Sequence, residues 1–154
     1  MARNDQRSVP ITLLVVAAVL LLARVVLHFN RADDASGVKW LTIEQGIERA
    51  RSSDKPILFD FTAEWCAPCH LLDAQVFADP KLAAEINRQF IPVRVTDRQQ
   101  EDGRNTPEVA ALQQRFGVTG FPTLIFADAM LTERARMEGF SGRRQFEQVM
   151  KQVR

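Results

Sequence analysis

The sequence predicts an α/β domain built on a central mixed β-sheet with helices on both faces, preceded by an apolar N-terminal segment. Three observations predict it. Apolar runs with strand character alternate with segments of helical period from Val38 onward, the last of these runs is half-polar as an edge strand would be, and a closing helix follows it. The 154 residues suffice for one such domain with a real core, but not comfortably for two. Lysine and arginine number 20 against 19 acids, a formal charge of +1 that gives no electrostatic reason to expect a nucleic acid partner.

Residues 1–8 form a polar tail with Arg3 and Arg7, and the run over 9–29 is apolar except for Thr12, Arg24 and His28. A membrane-spanning helix needs about 20 apolar residues and a signal-peptide core about 10–14; the strictly apolar part, Ile11 to Ala23 with its single Thr12, lies near that boundary. Arg24 stands near the far end, where a long side chain can reach the interface, and no Ala-x-Ala cleavage pattern follows closely. The expectation is an uncleaved single-pass anchor, a transmembrane helix over 9–29, with a cleaved signal sequence as the alternative. The short, positive tail favours an N-terminus inside, so the domain would leave the inner (cytoplasmic) membrane on the periplasmic or other extracytoplasmic side. Residues 30–37, small and polar, suit a tether to a domain over 38–154.

Within that domain, Thr42 and Gln45 form a capping box, and Ile43, Ile47 and Ala50 share a face, which predicts a helix to about Arg51 with Trp40 packed beneath it. Ile57 to Thr62 is a near-continuous apolar run, the pattern of a strand covered on both faces, and it contains one acid, Asp60. Leu72 and Val76 stand at helical spacing from Cys69, so a helix should begin at the cysteines. Asp79-Pro80 caps another, with Leu82, Ile86 and Phe90 as its stripe, and Ile91 to Thr96 is the next strand. Asp97 to Asn105 should be a surface loop, and Thr106-Pro107 starts a helix that Gly117 ends. Gly120-Phe121-Pro122 is a turn before the strand Thr123 to Phe126, Arg134 to Gly139 is the edge strand, and Ser141 should cap the final helix.

Both cysteines of the chain lie in Trp65-Cys66-Ala67-Pro68-Cys69-His70. Such a pair can cycle one disulfide, supply half a metal site or, with the histidine that follows, attach haem. At this spacing a bridge closes too small a loop to stabilise the fold much, which favours chemistry over stapling. Structural zinc wants four ligands where only Cys66, Cys69 and His70 cluster in sequence, so no metal is expected.

The stretch Asp60-Phe61-Thr62-Ala63-Glu64-Trp65-Cys66-Ala67-Pro68-Cys69 resembles thioredoxin, and Gly117-Val118-Thr119-Gly120-Phe121-Pro122-Thr123 is similar to the family's loop carrying a cis-proline before a strand. Val76-Phe77-Ala78-Asp79-Pro80 and the polar loop before Thr106 look more like the C-terminal periplasmic domain of the DsbD proteins than like small cytosolic thioredoxin. The resemblance covers Val38 to the end. It implies a thioredoxin fold and a thiol:disulfide oxidoreductase that works through a Cys66/Cys69 dithiol-disulfide cycle with no cofactor. A small cytochrome would be helical, which leaves haem at Cys66-x-x-Cys69-His70 a remote alternative.

Only a thiolate attacks a disulfide, and Cys66, at the start of a helix, meets unpaired N–H groups and the positive end of the helix dipole. It is the expected nucleophile, and Cys69, one turn further in, the resolving thiol. By resemblance Asp60 is the buried acid that shuttles a proton for the second cysteine. The backbone beside Pro122 would pair with an extended substrate peptide, with Phe121, Trp65 and Thr123 as substrate-binding neighbours. Glu64, Ala67, Pro68 and His70 are expected only to modulate the pair. Proline at the second inner position resembles reducing members, so the expectation is a reductase of disulfide-containing extracytoplasmic proteins, secreted proteins or apocytochromes awaiting haem, fed by a membrane electron donor. A disulfide oxidant or isomerase of the same fold, or a tethered adaptor with idle cysteines, are the alternatives.

Overall fold

The computed structural model describes residues 37–153 together with Val16 and Val19, so the expected anchor over 9–29 lies outside the described residues but for those two. Among the described residues no helix is long and apolar enough to cross a membrane. The chain divides into two units, Met1–Ala35 and Ser36–Arg154, and the cysteines belong to the second.

That unit runs α1 (Ile43–Arg51), β1 (Ile57–Ala63), α2 (Ala67–Leu72) continuing as a π-helical turn over Asp73–Phe77, α3 (Pro80–Gln89), β2 (Ile91–Asp97), α4 (Gln99–Asp102), α5 (Pro107–Phe116), β3 (Thr123–Ala127), β4 (Glu133–Glu138) and α6 (Arg143–Gln152). The four strands form one mixed sheet in the order β2-β1-β3-β4, with β1 and β2 parallel and β3 and β4 antiparallel to their neighbours. The crossover from β1 to β2 carries α2 and α3. β1 is buried along its whole length, which is why its sequence lacks the alternation of a half-exposed strand.

Side chains alternate across β1. Ile57, Phe59 and Phe61 join Val93, Leu112, Phe116 and Ile125 in one apolar layer, while Leu58 joins Leu72, Val76, Phe77, Ile86, Leu124, Phe126 and Phe146 in the other. The same period places Asp60 on the face of Leu58, the side covered by α2 and the π-helical turn. α1 lies on the opposite face, where Ile43 and Ile47 pack against Ala50 and Val93. Trp40 is therefore not beneath α1 as expected: its ring meets Phe77 edge-on at 4.8 Å on the α2 side.

Thr42 and Gln45 make the reciprocal bonds of a capping box, at 3.2 and 3.3 Å. Asp79 accepts from Lys81 N and Leu82 N, and Thr106 from Val109 N, before prolines at the first helical position. Three expectations change. α2 widens into a π-helical turn closed by Ala78 N–H donating to the Asp73 carbonyl at 2.8 Å. The expected loop after β2 contains the single turn α4, ended by Gly103 at φ 72°. The N-cap of α6 is Gly142 with no side-chain bond, because Ser141 sits one residue too early and meets the Gln145 carboxamide oxygen instead.

Candidate active site

β1 delivers the chain to the cysteines through a tight turn in which Cys66 N–H donates to the Ala63 carbonyl at 3.1 Å. Cys66 is then the N-cap of α2, in extended conformation, and its sulfur accepts the Cys69 N–H at 3.2 Å. Pro68, in the first turn, has no N–H to leave unpaired. The two sulfurs are bonded at 2.09 Å with Cα atoms 5.3 Å apart. Both cysteines are only 2% exposed, so burial does not tell them apart; position does, since Cys66 caps the helix and Cys69 lies within it.

Phe121 packs against this small cluster of Ala63, Cys66 and Cys69. Trp65, 50% exposed, meets the Phe121 ring edge-on at 5.9 Å. The Phe121-Pro122 peptide is cis. The Pro122 carbonyl accepts from Gly139 N–H at 2.8 Å, whereas no hydrogen bond among the described residues engages the backbone of Phe121. Thr123 is buried, and its hydroxyl donates to the Gly120 carbonyl at 2.8 Å.

Asp60 is 1% exposed. Arg94, its register partner on β2, donates to Oδ2 from Nε at 3.1 Å, brings Nη2 to the same 3.1 Å as an ion pair, and also pairs with Asp73 at the head of the π-helical turn. The guanidinium lies 4.3 Å over the Trp40 ring, which fixes it from the outer side. Oδ1 of Asp60 is buried with no partner among the described residues. Desolvation by burial raises the carboxyl to about 7 against the lowering charge of Arg94, and Asp73 adds to the rise.

Glu64, Arg98 and His70 form the rim beside Trp65. His70 Nε2 donates to the Glu64 carbonyl at 2.8 Å, and Arg98 donates to the Glu64 carboxylate at 2.6 Å and to Asp102 at 2.6 Å. Asn105 accepts the Arg98 N–H at 2.7 Å and donates to the buried Asp97, so the segment after β2 is tied to the turn that precedes Cys66. Ala67 and Pro68 are exposed between the cysteines.

Of the expected site residues, the structure thus gathers Cys66, Cys69, Trp65, Phe121 and Pro122 at one end of the sheet, with Asp60 in the layer behind. Arg94, Asp73 and Arg98 escaped sequence reasoning. Arg94 alone left a signal: it is the one cation in β2, set within the otherwise apolar Ile91 to Val95, the counterpart of Asp60 in β1.

Residues 43–154 match the Thioredoxin-like domain family. The chain belongs to that family. The haem alternative for Cys66-x-x-Cys69-His70 falls with this membership and with the sulfurs bonded to each other. Thiol:disulfide interchange protein DsbD of Yersinia pestis is 30% identical over 146 residues, 87% of this chain but 23% of that protein, so the chain spans under a quarter of such relatives. The structure of the DsbH oxidoreductase superposes with a TM-score of 0.65 at 22% identity, covering 99% of this chain and 94% of that one. The oxidised C-terminal domain of Neisseria meningitidis DsbD gives 0.56 at 24% identity, covering 72% and 91%. These two likenesses speak for the fold. A Cys-x-x-Cys pair closed at the helix start, in this fold, places the chain among the thioredoxin-like thiol:disulfide oxidoreductases.

Proposed function

We propose that the chain is a membrane-anchored reductase of extracytoplasmic protein disulfides. The observation that carries the chemistry is the Cys66–Cys69 bond at the N-cap of α2, with a buried acid that titrates near neutrality in the layer behind it.

In the dithiol form the Cys66 thiolate attacks one sulfur of a substrate disulfide, forms a mixed disulfide and expels the other substrate sulfur as a thiolate that takes a proton. Asp60 accepts the proton of Cys69, and the resulting thiolate attacks the Cys66 sulfur, releasing the second substrate thiolate. Two electrons pass to the substrate, and Cys66 and Cys69 are left as the disulfide seen here. A carboxyl titrating at about 7 suits this step because it is part ionised, and so a base, at neutral pH. The Phe121 backbone supplies an N–H and a carbonyl for an extended substrate, and Trp65 an apolar shelf beside it. A membrane electron donor would return the pair to the dithiol.

Replacing each cysteine in turn tests the order of attack. Cys69→Ser should trap a mixed disulfide on Cys66, while Cys66→Ser should trap none; the reverse result assigns the roles the other way, and trapping by neither ends the proposal. Direction is read from the equilibrium of the pair against glutathione. A midpoint near the about −270 mV of thioredoxin supports a reductase, and one near the about −120 mV of DsbA would make the protein an oxidant. Protease added to cells with a permeabilised outer layer should digest the domain; full protection places it in the cytoplasm.

A further inference from the structure

His70 has no part in the exchange steps above, yet it is not idle. Its Nε2–H reaches back six residues to the Glu64 carbonyl at 2.8 Å, while Arg98 holds the Glu64 side chain at 2.6 Å. Glu64 is thereby gripped at both ends, by α2 and by the segment after β2. Between the two ends of the His70 bond lie Trp65, Cys66 and Cys69, so this bond and the disulfide close the same stretch of chain.

We propose that His70 is a positioning residue for Cys66: its bond to the Glu64 carbonyl, steadied by Arg98, keeps Cys66 at the N-cap of α2 once the disulfide has opened. In the oxidised form the S–S bond already ties Cys66 to Cys69. In the dithiol that tie is gone, and the Cys66 sulfur keeps the Cys69 N–H, 3.2 Å away here, only if the turn of 63–66 stays on the helix. A thiolate held by that N–H and the helix dipole is stabilised, and stabilising the dithiol state makes the pair more oxidising and the thiolate more abundant. His70 therefore acts on the redox balance through the backbone and not as a group that touches substrate. Both protonation states in which Nε2 carries its hydrogen make the bond. The other charged or titratable groups on the surrounding elements are Cys69 on α2, Arg98 with Asp102, and Asp60 with Arg94 and Asp73.

The inference rests on the proposal that Cys66 attacks first, and the test separates the two. In the full chain, the glutathione equilibrium constant and the thiolate absorbance of Cys66 against pH are measured for the unchanged protein, His70→Ala, His70→Lys and His70→Gln. One hydrogen bond lost only from the dithiol state corresponds to about fivefold in the equilibrium constant towards the disulfide. We expect that change for His70→Ala, with thiolate appearing at higher pH, and the same for His70→Lys, which supplies a positive charge without the planar ring N–H that reaches the carbonyl. His70→Gln, which retains a side-chain N–H donor, should recover part of the change. If Ala leaves both readouts unmoved, or if Lys restores them, the positioning role is wrong while the assignment of Cys66 as nucleophile is untouched; if the unchanged pair does not exchange with glutathione at all, the proposed function fails instead.

Discussion

At the scale of single residues the decisive competition is at Asp60, where burial and Arg94 pull in opposite directions and burial wins, raising the carboxyl to about 7. Its folded value lies above its unfolded one, so the unfolded chain gives up the proton first as pH rises. Well below pH 4 the carboxyl is neutral in both states and folding does not sense it; from about pH 4 to about 7 stability falls, and above 7 the full cost of a buried charge is present. Asp60→Asn should therefore be more stable than the unchanged protein at pH 8, by a few kcal/mol in urea unfolding, with the gap closing towards pH 4. A gap independent of pH would show that the carboxyl is not held neutral. Arg94→Met removes the charge that lowers Asp60, so the pH at which the second exchange step accelerates should move above 7, and in an Asp60→Asn background the same change should move nothing. Asp60 was legible in the sequence because an acid inside an apolar strand stands out. Its partners were not, since Arg94 and Asp73 lie 34 residues and 13 residues along the chain and meet it only through strand register and the π-helical turn.

At the scale of elements, local chemistry carries the starts of helices and packing carries the rest. The capping box at Thr42 and the Asx and Thr caps before Pro80 and Pro107 are contained within four residues each, and the structure has them all. Ser141 has the same residue type but not the role, because the backbone at Gly142, φ 130°, turns the chain one residue later than the sequence cue suggests. The π-helical turn has no local cue at all: Val76 follows Leu72 at helical spacing, but Phe77 is buried beside it against Trp40 and Phe146, and the wider turn accommodates both. Gly46 is a similar case. Its Cα passes so close to β2 that a Cβ would overlap the Val93 side chain, so α1 can lie on the sheet only with glycine there. Gly46→Ala should cost about 2 kcal/mol in denaturant unfolding despite the better helix propensity of alanine. An unchanged or higher stability would mean that α1 can lift away without loss.

At the scale of the whole molecule, the apolar stretch over 9–29 and the domain from Val38 obey different constraints. Among the described residues, both faces of β1 are covered by helices of the same unit, and its two apolar layers draw on residues from Val38 to Val153. The run over 9–29, apolar except for Thr12, Arg24 and His28, suits a membrane better than a protein surface. If 9–29 serves as an anchor, removing residues 1–36 should separate place from chemistry. The full chain should sediment with membranes and resist extraction by high salt or alkaline carbonate, while a chain beginning at Gly37 should remain in the supernatant. The glutathione equilibrium constant of Cys66–Cys69 should agree within about twofold between the two, since the described groups around the pair, Ala63, Phe121 and the first turn of α2, all belong to the second unit. A full chain recovered in the supernatant at its intact mass would remove the anchor, and one found there shortened at its N-terminus would convert it to a cleaved signal. Loss of exchange in the shortened chain would instead mean that the N-terminal segment takes part in forming the site.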